Sequence, residues 1–111
     1  GVPMKPSYLE IGAQNEDITV KFFTDLFGWT FMPMEHGGVF DTGDIKTGLH
    51  GGETSPTIVA YFLVDNIESM VKTVRSLGGS ADDPSPDEPG FGRFAACIGP
   101  DGIRFGLHEK T

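Results

Sequence analysis

The sequence predicts an α+β fold in which two β-α-β-β-β units pair into a cupped mixed sheet, and three observations predict it. Gly48-Leu49-His50 returns as Gly106-Leu107-His108. Asn15 and Asn66, each suited to cap a helix, stand 51 residues apart, as do Leu26-Gly28 and Leu77-Gly79. The two tripeptides are 58 residues apart, so the second copy carries an insertion of 7. Neither unit alone buries its apolar face, which points to a duplicated domain closed around a shared concave surface. A ligand is expected in such a concavity. The expected domain is 1–111, with units at about 7–51 and 57–109.

Each element follows from pattern. Tyr8-Leu9-Glu10-Ile11 alternates, giving a strand with Leu9 and Ile11 on one face and Tyr8 and Glu10 on the other. From Asn15 a helix runs to Phe27, and Gly28 stops it. Thr19, Val20, Phe22, Phe23, Leu26 and Phe27 form a broad apolar stripe that is expected to be buried. A β-meander follows in three pieces around 31–35, 39–42 and 45–50, and Pro33 marks the first as an edge or a bulge. After a short polar linker over 51–56 the order restarts. A strand runs over 58–64, and Asn66 caps a helix carrying Ile67, Met70, Val71, Val74 and Leu77 at helical spacing. Asp65 and Glu68 suggest a reciprocal cap, and Gly78-Gly79 ends the helix. A Pro-rich loop over 82–90, a strand over 91–98, a Gly99-Pro100-Asp101-Gly102 turn and a last strand over 103–108 complete the chain.

Composition narrows function. The net charge of −8 repels phosphate backbones and anionic membrane surfaces, so neither nucleic acid nor membrane is an expected partner and a cationic or zwitterionic small molecule is favoured. The acidic run Asp82, Asp83, Asp87, Glu88 reads as a solvated loop. A single cysteine, Cys97, excludes an intramolecular disulfide and fits a reducing, cytoplasmic setting. No apolar stretch has the length of a membrane span, and no secretory signal pattern opens the chain. Gly1-Val2-Pro3, ahead of Met4, are given no role.

The duplicated β-α-β-β-β order resembles the vicinal oxygen chelate superfamily, which includes glyoxalase I, bleomycin- and fosfomycin-resistance proteins and extradiol dioxygenases. So do Phe22-Phe23-Thr24-Asp25-Leu26-Phe27-Gly28-Trp29 and Gly99-Pro100-Asp101-Gly102-Ile103-Arg104-Phe105; Gly99 replaces the usual Asp. The resemblance covers 8–108 and implies the fold, a small-molecule cup and a homodimer. It also places the family's metal-ligand positions, normally His, Gln or Glu, at Tyr8, Gly48, Val59 and Gly106. Two glycines and a valine offer no donor, so no metal and no cofactor are expected.

Two residues further along each strand stand Glu10, His50, Tyr61 and His108, which keep the same sheet face. A shifted Glu10-His50-His108 metal set is the alternative, against which both histidines, near strand ends, read as solvated. Without metal, Tyr8, Glu10, His50, Tyr61 and His108 form the candidate ligand surface, and glycines at 48 and 106 would widen the cup. Glu10 is the candidate catalytic residue: beside apolar rings it would serve as general acid or base, and partly solvated it would only set charge.

The remaining candidates divide between packing and function. Trp29 reads as a cover on the core or a stacking surface, Met32 and Met34 as an adaptable apolar wall or gap filling, and His36 as a surface turn residue. Cys97 reads as inert core rather than nucleophile, and Arg93 as a surface ion pair rather than a substrate anchor. Three function classes stand: a metal-independent binder of a small organic molecule; a lyase or isomerase using the shifted metal set or Glu10; and a non-catalytic interaction module.

Overall fold

The computed structural model describes residues 3–111, which form two compact units. One is Tyr8–Val59; the other joins Ala60–Thr111 to the residues up to Ser7.

The first unit holds β1 (Pro6–Gly12), α1 (Glu16–Phe27), β2 (Thr30–Pro33), β3 (Gly38–Asp41) and β4 (Lys46–His50). Its strands lie in the order β2-β3-β4-β1, antiparallel except for the parallel β1–β4 pair. Pro33 sits on β2 at the edge of this order, where a missing N–H costs no ladder bond. The helix starts and stops where the sequence says. Asn15 accepts from the Ile18 N–H at 3.0 Å, and Gly28, in the left-handed region at φ 71°, donates to the Thr24 carbonyl at 2.9 Å.

The expected burial of the whole α1 stripe is corrected. Val20 and Phe23 pack with Trp29 and Phe31 against Ile11, Phe40 and Leu49, whereas Phe22, Leu26 and Phe27 stay more than half exposed and no α1 residue is fully buried. A stripe that wide wraps beyond the arc a flat sheet can cover, so only its centre meets the strands. Phe27 still stacks on Phe23 and meets Trp29 at a tilt.

The second unit holds β5 (Thr57–Leu63), α2 (Ile67–Ser76), β6 (Ser80–Ala81), β7 (Arg93–Ile98) and β8 (Arg104–Glu109), in the order β5-β8-β7-β6 with β5 parallel to β8. Ile67 and Val71 are buried with Val64, Ala95, Cys97 and Leu107, flanked by Met70 and Val74. Leu77, expected on this face, is exposed because the helix ends at Ser76. The reciprocal cap is replaced. Asn66 accepts from the Ser69 N–H at 3.0 Å, Glu109 accepts from the Ile67 N–H at 2.8 Å, and Glu68 turns to Arg93 at 2.7 Å. The sequence reading missed β6: two residues are too few to show alternation, yet they pair with Ile98 and Cys97 and complete the second β-α-β-β-β order. The strand expected from Phe91 begins at Arg93, because Gly92 is bridged back to Glu88. No helix of the described residues is long and apolar enough to cross a membrane.

Candidate functional site

Alternation along β1 puts Ile11 in the core against α1 and leaves Tyr8 and Glu10 on the opposite face. Register extends that face across the unit: Glu10 pairs with Gly48, Gly48 with Val39, and Val39 with Met32. His50, two residues beyond Gly48, joins it. The face thus has an apolar floor of Met32 and Val39 beside a polar group of Tyr8, Glu10 and His50.

The polar side chains form one chain of hydrogen bonds. The Tyr8 hydroxyl donates to Glu10 Oε1 at 3.0 Å, His50 Nδ1 lies 2.6 Å from Glu10 Oε2, and His50 Nε2 lies 2.9 Å from Glu53 Oε1. A carboxylate accepts when ionised, so two such partners suit an imidazolium that donates from both ring nitrogens. The bond to Glu10 raises the affinity of His50 for its proton, that to Glu53 adds to it, and partial burial opposes. Glu10 meets a hydroxyl and an imidazole at its two oxygens and keeps about a quarter of its side chain exposed, which is the partly solvated one of its two expected settings.

Glu53 was not among the sequence candidates. It lies in the turn after β4, tied to β1 by its N–H on the Ala13 carbonyl at 2.9 Å, while Ala13 N–H bonds the His50 carbonyl at 2.8 Å. A residue three positions past a histidine in an irregular turn carries no periodic signal.

The second unit uses its candidates differently. His108 is buried, against the expectation of a solvated strand end. Its Nε2–H donates to the Phe91 carbonyl at 2.6 Å, its Nδ1 accepts from the Ser7 hydroxyl at 2.7 Å, and its ring stacks on Phe94 with centroids 4.7 Å apart. A carbonyl only accepts, which places a proton on Nε2. Tyr61 lies over Gly106 and meets Phe94 edge-on at 5.6 Å. The glycines therefore do not widen a cup. A Cβ at position 48 would fall on the Tyr8 hydroxyl and Glu10 Oε1, and one at 106 on the Tyr61 ring. The space is already filled by the tyrosines.

The family's metal does not fit these residues. Gly48 and Gly106 have no donor and no room for one, and Val59 is buried hydrocarbon. In the shifted set, both nitrogens of His50 and both of His108 are engaged. Among the described residues no group of His, Cys, Asp or Glu side chains converges to hold a metal ion.

Two cavities adjoin the first unit's face. One of about 520 Å³ is lined by Thr30, Met32, Val39, Asp41, Asp44 and Lys46; the other, about 670 Å³, by Gln14, Glu16, Asp17, Glu35, His36 and His50 among others. Trp29 packs between Phe27 and Phe40. Arg93 pairs with Glu68 and bonds the Ser85 carbonyl at 2.9 Å, and burial, with Asp82 nearby, pushes the Cys97 thiol up, which keeps it protonated and unreactive.

No family model matches the chain. It is 26% identical to the anthracycline biosynthesis protein DnrV of Streptomyces peucetius over 97% of its own length and 48% of that protein, so it spans about half of the curated relative. Among solved structures, the hypothetical protein BH1468 from Bacillus halodurans C-125 superposes with a TM-score of 0.76 at 16% identity, covering 99% of this chain and 96% of that one. A methylmalonyl-CoA epimerase from Streptomyces coelicolor, in complex with 2-nitronate-propionyl-CoA, superposes with a TM-score of 0.71 at 14% identity, covering 98% and 99%. These superpositions run along nearly the whole chain, and the chain described here has the fold of the vicinal oxygen chelate superfamily.

Proposed function

We propose that the protein binds a small organic molecule on the face that carries Tyr8, Glu10 and His50, with Met32 and Val39 as its apolar floor. The observation that carries this reading is the partly buried Tyr8–Glu10–His50 hydrogen-bonded group on the same sheet face as Met32 and Val39, which line a cavity of about 520 Å³. A few placed polar groups against apolar walls are what orient a small ligand. With a net charge of −8, the protein favours a cationic or zwitterionic ligand over an anionic one. His108 is assigned a holding role, since its nitrogens are spent on Ser7 and Phe91.

Glu10 supports a second, enzymatic reading. A carboxylate flanked by a phenol and a cationic imidazole can accept a proton from a ligand and return it, as an isomerase or lyase requires. The likeness to methylmalonyl-CoA epimerases and to a biosynthetic protein supports this reading.

The single tryptophan, Trp29, packed behind this face, gives the readout. Titrating an anthracycline glycoside bearing an amine, with methylmalonyl-CoA as the anionic contrast, should quench or shift its emission for the amine alone. Glu10→Gln should weaken that binding about tenfold or more, the worth of a charge-assisted hydrogen bond. Equal affinity in Glu10→Gln would remove Glu10 from the ligand surface. The enzymatic reading predicts solvent deuterium incorporation into a bound carbon acid that disappears in Glu10→Gln; no incorporation by the parent protein with any probe that binds refutes it.

A further inference from the structure

We infer that Glu53 is the positioning residue of this site: it completes a carboxylate–imidazolium–carboxylate arrangement that holds His50 charged and aimed at Glu10. Its place in the fold is built for the purpose. The Glu53 N–H bonds the Ala13 carbonyl, Ala13 N–H bonds the His50 carbonyl, and Glu53 Oε1 then stands 2.9 Å from His50 Nε2. Gly12 makes the approach possible, because a Cβ there would lie 2.7 Å from Glu53 Cγ and 3.3 Å from His50 Nε2.

The consequence is for Glu10. With only one carboxylate partner, the ring could sit neutral, or turn to satisfy water. With acceptors at both nitrogens it keeps both protons, so His50 donates to Glu10 Oε2 and fixes that carboxylate, leaving the oxygen that meets Tyr8 to face a ligand. Glu16 and Asp17 of α1 and Glu35 and His36 of the β2–β3 turn line one cavity with His50. None of them bonds a His50 nitrogen; Glu10 and Glu53 do. The effect on a ligand rests on the function proposed above, but the positioning role stands without it.

The test is the titration of the three histidine rings by NMR in the full chain, with His50→Gln to assign the His50 signal. Glu53→Gln should lower the His50 midpoint by about one pH unit, within the range a neighbouring opposite charge produces. The melting temperature of the same variant at neutral pH reports any wider structural loss. An unchanged His50 midpoint in Glu53→Gln overturns the inference; so does a midpoint that falls only together with a collapse of the fold. Amine-probe affinity, measured on the same samples, separates the two ideas: a midpoint lowered by Glu53→Gln, when the parent protein binds no probe, upholds Glu53 and counts against the ligand face.

Discussion

Gly48 shapes the candidate site by what it lacks. Tyr8 and Glu10 occupy the volume a side chain would take, so Gly48→Ala should expel the phenol, break its bond to Glu10 and cost about 1–3 kcal/mol of overpacking. Thermal melts check the cost, and unchanged stability would mean that Tyr8 does not rest there. His50 carries a second prediction. Its proton affinity is raised in the folded state by Glu10 and then Glu53, so its stabilising contribution is complete below the ordinary histidine value of 6.5 and is lost as pH rises through the higher folded value. The melting-temperature gap between the parent and His50→Gln should therefore be widest in mild acid and narrow toward alkaline pH; a gap independent of pH would contradict the ion-paired imidazole. Glu10 and His50 were legible as neighbours because strand alternation put both on one face. Glu53 was not, since its partner is chosen by a turn. His108 shows the converse. Its sequence neighbours resemble those of His50, yet burial, a bond to the Phe91 carbonyl and Phe94 stacked on its ring make it a structural cross-link.

At the level of elements, the two helices differ in how much of their apolar stripe is used. Val71 and Ile67 of α2 are buried, while α1 presents only its centre to the sheet. Phe40→Ala, which empties a fully buried position in contact with Phe23, Trp29 and Phe31, should cost about 3–5 kcal/mol. Phe22→Asp, on the exposed flank of the same packing, should stay within about 0.5 kcal/mol. Chemical denaturation of both variants measures the contrast, and a large loss from Phe22→Asp would show that the α1 flank is covered in solution. Helix limits were readable because Asn15, Gly28 and Asn66 act locally on backbone groups. How far round a helix burial extends is set by the partner surface, which no helical period records.

For the whole molecule, the resemblance that gave the fold also implies a homodimer, and we carry this forward as a proposal. Light scattering should return twice the chain mass of 11.9 kDa, and a stable monomer at micromolar concentration would refute it. The sequence by itself determined the α+β class, the doubled order of elements, the caps, the acidic charge and the face shared by Tyr8, Glu10 and His50. These are local or periodic properties, written in residue spacing. Tertiary structure alone decided that Glu53 closes the far side of His50, that Tyr8 and Tyr61 fill the hollows left by Gly48 and Gly106, and that His108 is bound to Ser7, 101 residues away in the chain. Those outcomes depend on which side chains lie within hydrogen-bonding or van der Waals reach, and that is fixed only when strands and turns distant in sequence are brought into register.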